Sequence, residues 1–301
     1  LATLLFLWNP VVLVELAGEG HNDGPMLLFS LASLYLTLRG WADRALLAST
    51  LGGLVKYVPA ILVPPQAVFL WRTATDRAAL RSAALAGALG SVVLAVATFA
   101  PVWAGLDTFA GLERSGAPGG YGTLSGSLYR LLAGMLPASS ASLVAVAVPA
   151  SLFAVFVVVQ SLRVRDARSL VASAAWISVA YLLLARGLYF PWYGLLPIAL
   201  LALVASGRAV AVLVVVTLVA RITAPLIDLL PAAYPFANAA FALTNLGSFA
   251  TLVAFAVAWG SAPADGSADE PDAEPAVAGS AEAAVARGSS PAPAAPVGPA
   301  P

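Results

Sequence analysis

Long apolar runs, each close to the length a helix needs to cross a bilayer, dominate this sequence and leave few folds open to it. A hydrocarbon core about 30 Å thick calls for about 20 apolar residues per helix. Runs bounded by charge, Gly or Pro lie near residues 2–17, 25–38, 45–71, 82–104, 140–162, 169–186, 191–207, 209–222 and 238–260. Open sheet edges cannot face lipid, because their backbone polar groups would go unpaired. The expected fold is therefore all-α, a polytopic transmembrane helical bundle of about eight or nine hydrophobic segments.

Composition agrees with that reading. Of 301 residues, 60% are hydrophobic and 10% charged, where soluble domains carry about 25% charged residues. Fifteen basic and 15 acidic residues cancel, and no clustered basic face suggests a nucleic-acid partner. The chain has no cysteine, which removes disulfides, thiolate metal sites and cysteine nucleophiles. His21 is the single histidine, so a multi-histidine metal site is impossible. No metal ligands are assigned and no cofactor is expected, with a divalent metal left open. The opening Leu-Ala-Thr-Leu-Leu-Phe-Leu-Trp has no starting Met and no signal-peptide pattern, and an N-terminally truncated sequence is expected.

From Ser261 the apolar pattern stops. Ala, Pro, Gly and Ser follow, with six acidic residues between Asp265 and Glu282. Such a composition buries too little apolar surface to fold. The expected organisation is a membrane domain over 1–260 and a disordered tail over 261–301.

Basic residues between the runs orient the chain. Arg39 and Arg44, then Arg72, Arg77 and Arg81, then Arg163, Arg165 and Arg168, then Arg208 are assigned to the cytoplasm by the positive-inside bias, and the tail with them. The stretch 45–71 then has both ends on one side. Gly52, Gly53, Pro59, Pro64 and Pro65 interrupt it, and a broken helix is tolerated at membrane depth where it packs in protein or lines a wet cavity. A re-entrant hairpin is expected there. The loops at 18–24, 105–137, 187–193 and about 222–236 then share the outer face.

Those loops hold the chemistry. Gly18-Glu19-Gly20-His21-Asn22-Asp23-Gly24 sets two carboxylates, an imidazole and an amide between apolar runs, and its glycines let backbone approach a ligand. Ionisable groups at a membrane edge point to function, since burying them unpaired costs several kcal/mol. The plainer reading is a solvated turn with Asp23 capping the next helix. Glu15, one turn before Glu19, either faces the same cavity or snorkels to the interface.

Lys56, the only lysine beside fourteen arginines, precedes Tyr57 within the hairpin. A cation at that depth needs an anion, either the phosphate of a lipid-linked donor or a structural partner, Glu15 or Asp23. Arg186-Gly187-Leu188-Tyr189-Phe190-Pro191-Trp192-Tyr193 joins a cation to an aromatic cluster. An interfacial belt accounts for the rings, whereas an outer Arg186 suits phosphate or sugar hydroxyls, with Tyr189, Trp192 and Tyr193 stacking on sugar faces. The loop from Gly105 to Pro137 adds Asp107, Glu113, Arg114, Tyr121 and Arg130, with an amphipathic stretch near 128–136. No nucleotide-binding loop is visible, which argues against an ATP-driven pump.

Trp8-Asn9-Pro10 followed by Gly20-His21-Asn22-Asp23 resembles the polyprenyl-phosphate-sugar-dependent membrane glycosyltransferases of the C-type fold, especially bacterial mannosyltransferase-like members. Leu54-Val55-Lys56-Tyr57-Val58-Pro59 and Phe190-Pro191-Trp192-Tyr193 match two further landmarks in order. The resemblance spans roughly residues 1–260. It implies inverting transfer of a sugar, mannose first, from a polyprenyl-phosphate donor to a glycan or glycolipid acceptor outside the cytoplasm of a bacterial plasma membrane. It also implies a catalytic carboxylate in an outer loop upstream of Leu1, leaving Glu19, His21, Asn22 and Asp23 as site-lining groups, and Lys56, Tyr57, Arg186, Tyr189, Trp192 and Tyr193 as substrate-binding ones. Lys56 and Arg186 are the phosphate candidates. The alternative class is a transporter or flippase of a lipid-linked or small polar solute, which uses broken helices equally well.

Overall fold

The computed structural model describes residues 1–111, 123–185 and 190–229, and among these it is helical with no strand. The short α1 (Ala2–Leu7) and α2 (Pro10–Val12) lead into a π-helical turn, Leu13–Gly18. Then come α3 (Asp23–Leu38), α4 (Ala42–Val55), a 3-10 turn at Val58–Leu62, α5 (Val63–Thr73) and α6 (Arg77–Phe99). The rest comprises α7 (Leu124–Ala133), α8 (Ala138–Arg163), α9 (Ala167–Ala180) with a π turn at Tyr181–Ala185, a 3-10 turn at Pro191–Gly194, α10 (Leu195–Val204) and α11 (Gly207–Leu229).

Among the described residues, three helical stretches are long and apolar enough to cross a membrane: Arg77–Val102, Ala138–Arg163 and Ala167–Ala185. They differ in what they bury. On α6 the side chains of Leu85, Leu89, Val92, Val93 and Val96 are all exposed, as are Leu143, Leu152, Val155 and Leu162 on α8. Apolar surface of that extent is at odds with water and suited to lipid. By contrast α9 buries Leu170, Ile177 and Val179 completely. The neighbouring α10, apolar on every face, is buried nearly all round, as such a helix must be. With α11 these form the core, onto which α1, α3 and α5 pack.

Local chemistry fixes the helix ends. Asp76 accepts from the backbone N–H groups of Ala78 and Ala79 to start α6, and Asp166 with Ser169 forms a reciprocal capping box at α9. Ala205 in the left-handed region (φ 49°) ends α10. Between α4 and α6 the backbones nearly touch, since a Cβ on Gly87 would lie 2.8 Å from Asp43 Cα.

Two expected segments are differently built. The run 2–17 is not one helix: Pro10 starts a new one, with Asn9 as its N-cap, and the turn after it widens to π geometry. Where a loop is expected from about 222, the chain is helical as far as Leu229, and the rest of that stretch lies outside the described residues. The last run, 238–260, and the tail from Ser261 lie outside the described residues.

The stretch 45–71 is broken where its composition said it would be. A proline lacks the N–H a helix needs and crowds the carbonyl four residues back. The α-helix stops four residues before Pro59, at Val55, and Lys56 is extended (φ −161°, ψ 125°). The chain then reverses: Ala42 at the start of α4 shares a cavity with Trp71 near the end of α5, and Gly40 shares another with Thr73 and Asp76. At this end Arg39 and Arg44 lie over Trp41, and Arg77 and Arg81 over Trp71. Lys56 sits at the opposite end of α4.

Candidate functional site

The site is assembled by three breaks in regular helix. At the first, Asn9 accepts from Val11 N–H at 2.9 Å and donates through Nδ2 to Thr217 Oγ1 of α11 at 2.7 Å. This anchors the start of α2 on a helix some two hundred residues away in sequence. The π turn follows and turns Glu15 inward, where the residue is 1% exposed. Its Oε1 accepts from Arg221 Nη1 of α11 at 2.8 Å. π turns of this kind often mark functional positions.

Gly20 then adopts φ +66°, a conformation glycine takes at no steric cost. That kink brings His21 back over the turn, its N–H donating to the Glu15 carbonyl at 3.1 Å. His21 Nε2 lies 3.0 Å from Glu19 Oε2 and 3.3 Å from Glu15 Oε2. The 3.3 Å contact is ionic in reach only, because no hydrogen bond forms at Glu15 Oε2 among the described residues.

The second break is Lys56. Its Nζ donates to Asp23 Oδ2 at 2.7 Å and lies 4.6 Å from the centre of the Tyr193 ring. Asp23 is buried as the first residue of α3, and its carboxylate goes to Lys56. The α3 N-cap is Asn22, without a side-chain cap bond. Capping is therefore not the work of Asp23, and Lys56's partner is Asp23, since Glu15 belongs to Arg221. Snorkelling of Glu15 is likewise replaced by an ion pair between the buried carboxylate and the part-exposed Arg221.

The third break is the 3-10 turn at Pro191–Gly194. It stacks Trp192 on His21 at 4.2 Å between ring centres, with Phe190 stacked on Trp192 at 4.5 Å and Tyr193 edge-on at 5.8 Å. Glu19, His21, Asp23, Lys56, Trp192 and Tyr193 thus converge from three segments. Tyr57 is exposed and lines a cavity of about 570 Å³ with Lys56, Tyr193, Phe99 and Phe109. Asn22 is exposed at the rim. Arg186 and Tyr189, with Glu113, Arg114 and Tyr121, lie outside the described residues.

Sequence reading missed Arg221 and the Asn9–Thr217 anchor. The signal for Arg221 was present: an arginine at the end of the apolar run 209–222 needs a buried anion. Chemically, the site combines three carboxylates, an imidazole, two cations and a stacked aromatic face beside a cavity, a set suited to a ligand carrying both hydroxyls and negative charge. Comparison with known protein families, with curated proteins and with solved structures gives no match.

Proposed function

We propose that this chain crosses a bacterial plasma membrane in eight or nine hydrophobic segments, α4 and α5 forming a re-entrant hairpin, and transfers a sugar from a polyprenyl-phosphate donor to a lipid or glycan acceptor on the outer face. The tail is then cytoplasmic, and mannose is the first sugar to test. The observation that carries this reading is Lys56: a lone lysine held between Asp23 at 2.7 Å and the Tyr193 ring at 4.6 Å, on the wall of the 570 Å³ cavity. Asp23 takes one of its N–H groups, and the ammonium retains donors for a phosphate. The hairpin reading draws support from the return of α5 to the Gly40 end, and from helices of 14 and 11 residues, each too short to span about 30 Å at about 1.5 Å per residue.

In the reaction the acceptor hydroxyl attacks the anomeric carbon as the bond from that carbon to the phosphate oxygen breaks. The hydroxyl proton passes to a carboxylate base, and the departing lipid phosphate keeps the electron pair, its charge countered by Lys56. Tyr193, on the cavity wall, offers its ring to the sugar with Trp192 stacked behind it between His21 and Phe190, and the exposed Glu19 accepts from the sugar hydroxyls.

The test is transfer of radiolabelled mannose from polyprenyl-phosphate-mannose to membrane acceptors by the full-length gene product. Lys56→Ala should lower turnover by about a hundredfold or more, the scale of losing one preorganised charge-stabilising donor. No transfer from several lipid-linked donors by a folded protein would move the assignment to a transporter of such solutes, which a broken helix beside a buried lysine also serves.

A further inference from the structure

We infer that Glu15, Glu19 and His21 bind one divalent transition-metal cation of the manganese or zinc type. Glu15 Oε2, Glu19 Oε2 and His21 Nε2 come from a span of seven residues, and each of the three residues offers an atom within 4.8 Å of the other two. The two contacts to the imidazole nitrogen, 3.0 and 3.3 Å, match the edges of a coordination polyhedron, since ligands about 2.1 Å from a metal sit about 3.0 to 3.4 Å apart. A mixed oxygen and imidazole set favours manganese or zinc over calcium or magnesium.

A second observation points to a ligand at this place. Glu15 is 1% exposed, yet its Oε2 has no hydrogen bond among the described residues while its Oε1 is held by Arg221. A buried carboxylate oxygen without a hydrogen bond is costly, and a cation in front of it removes the cost. Arg221 then serves as the outer partner that orients a ligating carboxylate, and Trp192, stacked on the imidazole, fixes the ring; such supports are usual around metal ligands.

Charge gives the same answer. In formal charge, the carboxylates of Glu15, Glu19 and Asp23 outnumber the cations Arg221 and Lys56 by one. A divalent cation turns that deficit into an excess of one positive charge, available to an incoming anion. Three protein ligands also leave coordination positions open, as sites that receive an exogenous ligand do. The cation site does not rest on the transfer reaction.

The experiment is titration of Mn²⁺ into the purified full-length protein in nanodiscs, without donor or acceptor, following loss of the free-ion electron paramagnetic resonance signal. One ion per chain is expected, with nitrogen hyperfine coupling from the imidazole and displacement by Zn²⁺. His21→Ala should abolish the nitrogen coupling, and His21→Ala and Glu19→Gln should each weaken binding at least about tenfold. Both residues are partly exposed, so these variants should fold, which circular dichroism checks. Absence of saturable binding of Mn²⁺ and Zn²⁺ by folded wild-type protein, or binding unchanged in both variants, overturns the proposal. Because no sugar is present, failure here is distinct from failure of the transferase reading.

Discussion

Two polar clusters among the described residues are built on opposite principles. In the neutral one, Ser33 of α3 is within 2.9 Å of the Ala45 carbonyl, 2.7 Å of Ser49 Oγ and 3.0 Å of Gln66 Oε1, and Thr50 of α4 donates to Ser91 of α6 at 2.7 Å. Small hydroxyls there let helices approach and tie them together, as polar groups do between membrane helices. In the charged one, Glu15, Glu19, His21, Asp23, Lys56 and Arg221 gather at helix breaks. The first cluster spends its hydroxyl hydrogen bonds on packing, although Gln66 Nε2 has no hydrogen bond among the described residues; the second keeps charge, with a carboxylate oxygen that likewise has none. A polar group within the bundle is thus a pointer to function when its charges do not balance internally, and a packing device when it is neutral and its hydroxyls bond across neighbouring helices.

Substitutions should separate the two clusters. The largest loss of stability is expected for Glu15→Ala, which leaves the part-exposed Arg221 without its carboxylate and should destabilise the fold by about 1.5 to 3 kcal/mol, the scale of a hydrogen bond to a charged group. Denaturant unfolding in mixed micelles would measure it, and a loss as small as that of Ser33→Ala would erase the distinction. Ser33→Ala should cost about 1 kcal/mol or less and leave the proposed sugar transfer unchanged. A drop in turnover without a drop in stability would bring the neutral cluster into the site.

The smallest effect belongs to an exposed polar set with no part in either cluster. Hydrogen bonds from the Ser169 backbone and side chain hold the Asp166 carboxyl below its ordinary value. Its folded pKa is depressed, so the capping contribution is complete above the ordinary carboxylate range and is lost as pH falls through the lowered folded value. The melting temperature of wild type should therefore converge on that of Asp166→Ala only in strongly acidic solution. A difference that vanished near neutral pH would contradict the cap.

How much was legible follows from the range of each interaction. Apolar runs and Pro or Gly breaks are local, and they foretold α3, α8 and the interruption at Lys56. Pro10 and the π turn are local too, but a broken run of apolar residues reads much like an unbroken one. The pairing of Asn9 with Thr217 spans 208 positions and that of Glu15 with Arg221 spans 206, beyond any window of periodicity. The convergence of His21, Lys56 and Trp192 was suggested by their residue types, while the choice of Asp23 over Glu15 as the lysine's partner needed three-dimensional geometry.

The π turn at Leu13–Gly18 makes chain length itself a carrier of information. A π turn accommodates one residue more than the α-helix it interrupts, and each residue advances a helix by about 100°. Deleting a single residue between Leu13 and Gly18 would restore regular winding, leave composition almost untouched, and swing Glu15 away from Arg221 and His21. What holds the acidic and imidazole groups together is a count as much as a set of side chains, and a shortened variant keeping every charged residue should lose their alignment.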